Sequence, residues 1–244
     1  NKDTKKINMI SVIVPVYNEK GNILKVIRNI ENVLSSKDEL IVVDDGSIDG
    51  TVDEIKKTDC ILLENETNFG KGQSLINGLK KANGEIILFI DGDGQDDPKE
   101  IPKLISGLNK GYDFVIGSRF VEDENKKITR YTKTALSNIN WFGNKGLTFL
   151  INFLFGLDIK DTQSGFKCFK ATSIKNLNLE SKKYEIETEI IIKAKKSNLK
   201  ILEVPVFRYE RKFGESKLFD IPFGRLIFML KVIKVILYGF IFWK

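Results

Sequence analysis

The sequence predicts an α/β fold, with a Rossmann-like, mostly parallel β-sheet that carries helices on both faces. Short apolar runs alternate with helical patterns through the first half of the chain. These runs are continuous rather than alternating, which is typical of parallel strands buried on both faces. The chain has 244 residues, of which 42% are hydrophobic. That is enough for one large domain with its own core.

The elements follow one another in the order that a parallel sheet requires. We predict strands at Met9–Val16, Glu39–Asp45, Cys60–Leu63, Glu85–Asp91 and Asp113–Gly117. The apolar spacing predicts a helix that ends near Leu34, a short helix after the turn at 46–51, and a helix at Gly72–Ala82. Ligands of such sheets bind beyond the carboxyl ends of the strands, so functional residues are expected there.

Composition excludes several classes of site. Histidine is absent, which removes histidine triads, histidine general bases and most zinc sites. Cys60 and Cys168 have no CxxC spacing, so we expect a reducing compartment and neither a disulfide scaffold nor a cysteine metal site. The net charge of +6 fits nucleotide phosphates, acidic lipid headgroups or nucleic acid. No basic platform interleaved with aromatic residues is evident, so we expect no nucleic-acid partner.

The sharpest motif is DGDGQDDP, which begins at Asp91 directly after a predicted strand. Asp91 and Asp93 could share one hard divalent cation with the oxygens of a diphosphate, and Gln95 could add a neutral oxygen. A site made only of oxygen atoms favours Mg²⁺ or Mn²⁺. The alternative is an acidic turn before a helix start, with Asp97 as the cap and Pro98 at the first position.

Two other strand ends carry polar residues. In VVDDGSIDGT, Asp45 is the better candidate to accept hydrogen bonds from a base or ribose. Asp44 could instead support the turn, and Asp49 could cap a helix. In PVYNE, Tyr17 offers a ring to lie against a base, and Glu19 offers a carboxylate to accept the polar edge of the base. The alternative for this motif is a strand-to-helix turn with a solvated glutamate.

A glycine-rich run, NFGKG, places Lys71 beside a helix start. It resembles a phosphate cradle, although its spacing is not that of a Walker loop. A capped helix start fits the same residues equally well.

A basic stretch lies near the C-terminus and contains Arg208, Arg211, Lys212 and Lys217 around Gly214. It could be a mobile loop that closes over a diphosphate. The alternative is a solvated basic turn before a helix.

Taken in order, these motifs resemble glycosyltransferase family 2, whose members have the nucleotide-sugar-binding GT-A fold. The set is most similar to the branch of dolichol-phosphate mannose synthases and polyprenyl-phosphate glycosyltransferases. The matching residues are Pro15-Val16-Tyr17-Asn18-Glu19, Val43-Asp44-Asp45-Gly46-Ser47, Asn68-x-Gly-Lys-Gly, Asp91-x-Asp-x-Gln95, Gly117-Ser118-Arg119 and Asp161-Thr162-Gln163-Ser164-Gly165-Phe166. The resemblance covers about Ile10 to Leu218. Asp96-Asp97 stands where many relatives carry a histidine, which weakens assignment to the mannose branch.

The resemblance implies a role for each matching residue. Asp91, Asp93 and Gln95 would hold the metal. The nucleotide-sugar would contact Pro15, Tyr17, Glu19, Val43, Asp45, Asn68, Lys71, Gly72, Asp91 and Gly92. A phosphorylated acceptor would contact Ser118, Arg119, Arg130, Gln163 and Ser164, and the catalytic set would be Asp93, Arg119, Arg130, Arg211 and Lys212. An arginine fork suits a phosphate, although each of these arginines could also be a solvated surface charge.

Two apolar segments, Ile139–Leu157 and Ile221–Lys244, raise the question of a membrane. A spanning helix needs about 20 mostly apolar residues, and Lys231 and Lys234 interrupt the second segment. We therefore predict a catalytic domain at 1–218 and an amphipathic helix at 219–244 on the cytoplasmic face of a membrane. The alternatives are a core helix for the first segment, and a core or dimer helix, or a chain that continues into membrane helices, for the second.

The predicted reaction is inverting transfer of a hexose from GDP-mannose or a UDP-hexose to a polyprenyl or dolichyl phosphate. A lipid phosphate is already anionic and needs no general base, whereas a hydroxyl acceptor needs a carboxylate to take its proton. Asp161 lies where the hydroxyl-using relatives place that base. The alternatives are transfer to a sugar hydroxyl, a sugar nucleotidyltransferase, and a non-catalytic nucleotide- or membrane-binding module. The sequence leaves the sugar, the base, the lipid and the oligomeric state open.

Overall fold

The computed structural model describes residues 8–120, 138–211 and 224–243. Its strands are β1 Ile10–Val16, β2 Glu39–Asp44, β3 Ile61–Glu64, β4 Ile86–Phe89, β5 Phe114–Ser118, β6 Lys167–Lys170 and β7 Ile201–Pro205. Its helices are α1 Ile23–Glu31, α2 Thr51–Ile55, α3 Lys71–Lys81, α4 Ile101–Asn109, α5 Asn138–Phe155, α6 Ala171–Lys175, α7 Ile186–Lys196 and α8 Gly224–Phe242, with a 3-10 turn at Pro98–Glu100. The predicted strands of the first half are therefore present, with ends that differ by one or two residues.

Within the described ranges, the strands form one sheet in the order β3-β2-β1-β4-β6-β5-β7. The pairs β1–β2, β1–β4, β2–β3 and β5–β7 are parallel. Strand β6 runs antiparallel between β4 and β5. The predicted mostly parallel α/β sheet is confirmed. The antiparallel strand was not predicted, because Lys167–Lys170 is short and half charged and so lacks an apolar run.

The sheet separates two apolar cores. Along β1, Ile13 points into one core, while Val12 and Val14 point into the other. Helices α3, α5, α7 and α8 cover the first face, and α1 and α4 cover the second. Burial on both faces explains why the strands appear in the sequence as continuous apolar runs.

Helix α8 packs on α7 along one narrow stripe. Val232 and Ile236 are fully buried there. A Cβ atom added at Gly239 would lie 3.0 Å from Cγ2 of Ile192 on α7, so glycine allows the close approach. The remainder of α8 exposes large apolar side chains, namely Leu226, Ile227, Met229, Leu230, Leu237, Tyr238, Phe240, Ile241 and Phe242.

Helix α5 packs into the core along one side and exposes apolar side chains on another. Leu147 and Ile151 are buried in the core, whereas Phe149 and Phe153 are 71% and 75% exposed. Phe155 meets Phe240 of α8 edge to face at 6.1 Å, so the two helices adjoin. Among the described helices, none has the length and apolar character needed to cross a bilayer. Membrane attachment through these helices stays a prediction.

Candidate active site

The carboxyl ends of β1, β2 and β4 meet at one rim of the sheet. Val16 at the end of β1 lies beside Asp44 at the end of β2, and β4 runs parallel to β1 on its other side. The polar residues that follow the three strands therefore gather at the same edge, as the sequence predicts. We refer to residues 91–97, which follow β4, as the acidic loop.

The acidic loop has a defined turn. Oδ1 of Asp93 accepts a hydrogen bond of 3.0 Å from the backbone N–H of Gln95. Asp97 accepts from the N–H of Lys99 at 3.0 Å, with Pro98 at the first position of the 3-10 turn. The predicted cap is thus present, and it accompanies the cluster of acidic side chains rather than replacing it.

The segment that follows β7 lies against the acidic loop. The N–H of Tyr209 donates to the carbonyl of Gln95 at 2.6 Å, and Nε2 of Gln95 donates to the carbonyl of Tyr209 at 3.3 Å. Asp96 and Arg208 form an antiparallel bridge, and the hydroxyl of Tyr209 donates to Asp97 at 2.9 Å. Motifs more than a hundred residues apart in the sequence therefore form one site.

This pairing places the guanidinium of Arg208 among the side chains of the acidic loop. Nη2 of Arg208 donates to Oε1 of Gln95 at 3.1 Å and lies 3.9 Å from Oδ2 of Asp93. Nη1 lies 3.8 Å from Oδ1 of Asp96. Oδ2 of Asp96 is buried without a hydrogen-bond partner among the described residues. Burial, and then the charges of Asp91 and Asp93, raise the pKa of Asp96 to about 6, although Arg208 opposes the rise.

The acidic loop fits a hard divalent cation in its chemistry. Its side chains supply carboxylate and amide oxygens, which Mg²⁺ and Mn²⁺ prefer, and one buried oxygen of Asp96 has no partner. Among the residues that the structure describes, no three acidic or sulfur- or imidazole-bearing side chains converge closely enough to hold a metal alone. A cation here would need ligand oxygens to complete its shell. Metal binding by Asp91, Asp93 and Gln95 stays a prediction.

Behind the acidic loop runs a buried chain of alternating charges. Nζ of Lys71 lies 2.6 Å from Oδ1 of Asp91 and 2.8 Å from Oε1 of Glu187, and Glu187 pairs in turn with Lys167. Burial works to raise the pKa of Asp91, but the charge of Lys71 holds it below its ordinary value. A Cβ added at Gly165 would lie 2.7 Å from both Oδ2 of Asp91 and Nζ of Lys71. A side chain at position 165 would therefore displace the ends of Asp91 and Lys71.

These buried ion pairs give Lys71 a different environment from the one that the sequence suggests. The ammonium of Lys71 supports Asp91 from behind instead of standing open at a helix start. Glu187, at the first turn of α7, was not predicted at all. Its acidic neighbours in YEIETE resemble an ordinary helix N-terminus, and no local pattern marks it as the partner of two lysines.

The start of α3 is covered by another part of the chain. A Cβ added at Gly72 would lie 2.1 Å from the carbonyl oxygen of Ser181. The N–H of Gln73 donates to the carbonyl of Lys182 at 2.9 Å. The start of α3 is therefore contacted by the backbone of residues 181 and 182, with no side-chain cap among the described residues. Direct contact of Lys71 and Gly72 with a nucleotide stays a prediction.

Asp45 supports the loop that leads into α3. Its two carboxylate oxygens accept hydrogen bonds from the N–H groups of Phe69 at 3.0 Å and Gly70 at 2.7 Å, and from Nδ2 of Asn65 at 2.9 Å. In contrast to Asp45, Asp44 has a carboxylate oxygen, Oδ1, that is buried without a hydrogen-bond partner among the described residues. Contact of a nucleoside with Asp45 stays a prediction, and Asp44 is a second candidate that the geometry adds.

Glu19 and Arg211 connect the first strand end to the basic segment. Oε2 of Glu19 accepts a hydrogen bond of 2.7 Å from Asn22, and Oε1 pairs with Nη2 of Arg211. Glu19 is buried, so it is not the solvated glutamate of the alternative interpretation. Tyr17 is half-buried at the same rim.

The remaining nucleotide candidates differ in exposure. Pro15 and Val43 are buried near the carboxyl ends of β1 and β2, whereas Asn68 is exposed. A Cβ added at Gly92 would lie 3.1 Å from the carbonyl of Pro15, so the glycine allows the acidic loop to pass close to β1.

Arg119 forms a closed ion pair with Asp161. Nε and Nη2 of Arg119 donate to the two oxygens of Asp161 at 2.7 Å and 2.6 Å, and the N–H of Arg119 donates at 3.0 Å. Both side chains are buried, so Arg119 is not a solvated surface charge. Burial works to raise the pKa of Asp161, but the charge and hydrogen bonds of Arg119 hold it below its ordinary value. A carboxylate with a lowered pKa and both oxygens occupied is a poor general base.

The other acceptor candidates also take part in hydrogen bonds within the protein. Oγ of Ser164 donates to the carbonyl of Gly117 at 2.6 Å, and Nε2 of Gln163 donates to Oγ1 of Thr188 at 3.0 Å. Ser118 is buried next to Arg119 at the end of β5. Arg130 and Lys212, which the resemblance places in the site, lie outside the described residues.

Comparison with known proteins agrees with the motif order. Residues 11–177 match the family model of glycosyl transferase family 2. The chain is 33% identical to a UDP-N-acetylglucosamine–dolichyl-phosphate N-acetylglucosaminyltransferase of Methanococcus voltae, over 93% of this chain and 98% of that one. It is 34% identical to a dolichol-phosphate mannosyltransferase of Pyrococcus furiosus, over 86% of this chain and 59% of the longer protein.

Solved structures show the same fold. Glucosyl-3-phosphoglycerate synthase of Mycobacterium tuberculosis, crystallised with Mn²⁺, UDP-glucose and phosphoglyceric acid, superposes with a TM-score of 0.73 at 23% identity, over 96% of this chain and 80% of that one. The chain therefore belongs to glycosyl transferase family 2, and the resemblance seen in its motifs, including the polyprenyl-phosphate branch, is confirmed.

Proposed function

We propose that this member of glycosyl transferase family 2 transfers a hexose, with inversion, from a nucleotide-sugar to a polyprenyl or dolichyl phosphate at a membrane surface. The observation that carries the proposal is the incompletely paired acidic loop, which Arg208 faces at the rim of the sheet. Carboxylates with unused oxygens beside a guanidinium suit a divalent cation and a diphosphate together. Two relatives are named as glycosyltransferases that act on dolichyl phosphate, which supports a lipid phosphate as the acceptor.

Asp91, Asp93 and Gln95 would hold Mg²⁺ or Mn²⁺. When bound, the cation offsets the negative charge that develops on the nucleoside diphosphate as it leaves. The Mn²⁺ and UDP-glucose present in the crystal of the synthase with the same fold support a divalent metal. Lys71 keeps Asp91 ionised and in place, while Arg208, Arg211 and Lys212 would neutralise the diphosphate.

An acceptor phosphate is favoured over an acceptor hydroxyl. A phosphate attacks the anomeric carbon as an anion, so no group has to remove its proton. Asp161, which a hydroxyl acceptor would need as base, is occupied by Arg119 on both oxygens. In this proposal Asp161 and Arg119 position the end of β5, and Arg130 contacts the acceptor phosphate. The donor, GDP-mannose or a UDP-sugar, is for experiment to decide.

Attachment to the membrane would use the exposed apolar sides of α5 and α8. Phe149 and Phe153 are more than two-thirds exposed. Transfer of such apolar side chains into the headgroup boundary of a membrane is favourable. The proposal keeps residues 1–218 as the catalytic domain and 219–244 as the membrane-binding helix. Cys60 and Cys168 are free thiols, in keeping with the proposed cytoplasmic face.

The proposal is tested by incubating the protein with Mn²⁺ or Mg²⁺, a polyprenyl phosphate, and a panel of radiolabelled GDP- and UDP-sugars. Label in the organic phase, lost in Asp93→Asn and kept in Asp53→Asn, is the expected result. Asp53 is exposed on α2 and lies outside the acidic loop, so the control removes the same charge elsewhere. Metal-dependent release of nucleotide without labelled lipid would indicate a hydroxyl acceptor, and no binding of any nucleotide-sugar would overturn the enzyme assignment.

A further inference from the structure

The guanidinium of Arg208 lies beside oxygens of Asp93 and Gln95, the same oxygens that a metal ion would bind. Its fork lies 3.8 Å and 3.9 Å from Asp96 and Asp93 and donates to Gln95 at 3.1 Å. Asp93 and Gln95 are the residues that would hold the cation in the proposed function. The side chain of Arg208 is 10% exposed, so its charge faces the acidic loop rather than water.

We infer that Arg208 is a built-in counter-ion of the acidic loop, which weakens the binding of a lone divalent cation and so makes metal and nucleoside diphosphate bind together. The inference rests on the proposed function for its nucleotide part. A resident positive charge within about 4 Å of the carboxylates repels an incoming dication. A diphosphate removes this obstacle, because it offers the guanidinium an anionic partner of its own.

The backbone keeps Arg208 at the loop while leaving its side chain free to exchange partners. Tyr209 is bound to Gln95 and Asp97, and the backbones of Arg208 and Asp96 form a bridge. The side-chain contacts to the carboxylates are longer than the direct hydrogen bonds of 2.6 Å and 2.7 Å between Arg119 and Asp161. Arg208 is therefore fixed in place but not locked to one carboxylate.

The test is a Mn²⁺ titration of the full chain without nucleotide, with free Mn²⁺ measured by electron paramagnetic resonance. Arg208→Gln is expected to bind Mn²⁺ at least about tenfold more tightly than the wild type, because one repelling charge is gone. Arg208→Lys keeps the charge and is expected to bind like the wild type. Arg28→Gln is the matched control, since it removes an equal charge from an exposed side chain on α1, and little change is expected.

A charge-compensated pair covers the case in which Arg208→Gln does not fold. Asp96→Asn with Arg208→Gln removes one charge of each sign, and it is expected to bind Mn²⁺ at least about tenfold more tightly than Asp96→Asn alone. The inference would be overturned if Arg208→Gln bound Mn²⁺ no more tightly than the wild type, or if the double variant bound it no more tightly than Asp96→Asn alone. These titrations need no nucleotide, so their outcome is independent of whether the chain transfers sugar.

The same titration with UDP or GDP present measures the coupling. In the wild type the nucleotide should tighten Mn²⁺ binding by more than about tenfold, and in Arg208→Gln this enhancement should shrink. An enhancement that is unchanged in Arg208→Gln would contradict the role of Arg208 in joint binding.

Discussion

Two clusters of buried charge lie at the rim of the sheet, and they differ in how completely their atoms are paired. Asp161 receives three hydrogen bonds from Arg119 at 2.6–3.0 Å. In the acidic loop, the carboxylates of Asp93 and Asp96 lie 3.9 Å and 3.8 Å from Arg208, and one oxygen of Asp96 has no partner within the described part of the chain.

This difference in pairing distinguishes carboxylates that stabilise the fold from carboxylates that can bind a ligand. A buried carboxylate whose two oxygens both accept hydrogen bonds from a buried arginine has little capacity left for a ligand, and we expect it to hold the elements that carry it. A buried carboxylate with an unpartnered oxygen costs free energy that a cation can recover. The motifs of the sequence treat Arg119 and Asp93 alike as site residues. The geometry pairs the first with Asp161 at 2.6–3.0 Å and leaves the second 3.9 Å from Arg208, so we propose a positioning role for Arg119 and a ligand-binding role for Asp93.

The largest effect is expected when the fully paired cluster of Arg119 and Asp161 is disrupted. Asp161→Asn should lower the free energy of unfolding by about 3–5 kcal/mol, because it leaves Arg119 buried without a countercharge. Urea denaturation measures the loss. Asp113→Asn, which disrupts a more exposed ion pair with Lys170, should cost less than about 1 kcal/mol. Equal losses in the two variants would mean that the Arg119–Asp161 pair is not structural.

The next effect concerns the open cluster. Asp93→Asn should reduce sugar transfer by about 10²–10³-fold, because a metal-binding charge is lost, while the free energy of unfolding stays the same or rises. Steady-state transfer to polyprenyl phosphate and urea denaturation, measured on the same preparation, check both halves. A loss of stability as large as that of Asp161→Asn would make the acidic loop a structural cluster.

The two clusters should also respond to pH with opposite signs. The pKa of Asp96 is raised from 3.8 to about 6, so between these values the folded protein holds more protons than the unfolded chain. Its contribution to the free energy of unfolding therefore falls as the pH rises through that window. The pKa of Asp161 is lowered, so its contribution is present above pH 3.8 and is lost as the pH falls through its folded pKa.

Urea denaturation between pH 4 and 7 distinguishes these signs. Relative to Asp96→Asn, the wild type should lose up to about 3 kcal/mol of stability across the window. Asp161→Asn should instead remove stability that the wild type has throughout this range. A wild type that gains stability over Asp96→Asn as the pH rises would show that Arg208 pairs fully with Asp96.

The smallest expected effect on activity concerns the buried charges behind Asp91, although Glu187→Gln also leaves Lys167 buried without its carboxylate and should lower the free energy of unfolding. Glu187→Gln should raise the Mn²⁺ concentration needed for half-maximal activity by about tenfold, because Lys71 then has one carboxylate partner fewer and Asp91 is held less firmly. The maximal rate at saturating Mn²⁺ should change little. Glu180→Gln, near the same helix but outside these buried charges, is the control, and an equal change there would remove Glu187 from the site.

Local sequence patterns were enough to predict the first half of the fold. The runs at Val12–Val16 and Leu40–Val43 are apolar throughout because both faces are buried, and the ordered motifs after them placed the rim correctly. Strand β6 was missed because Lys167, although buried, is charged. Its burial depends on Glu187, a partner that no neighbouring residue reveals.

The pairing of the site could not be predicted for the same reason. Arg208 reaches Gln95 across 113 positions of sequence, and Arg119 meets Asp161 across 42. A motif indicates which side chains are present at a strand end, but whether their hydrogen-bonding atoms are occupied depends on contacts made by the folded chain.

The most direct test of the comparison is a crystal of the protein with Mn²⁺ and UDP or GDP, with the cation located by its anomalous signal. We expect Mn²⁺ bound to Asp93 at the acidic loop, Arg208 turned toward the diphosphate, and the Arg119–Asp161 pair unchanged. A cation bound elsewhere, or an Arg119–Asp161 pair opened by the nucleotide, would contradict this expectation.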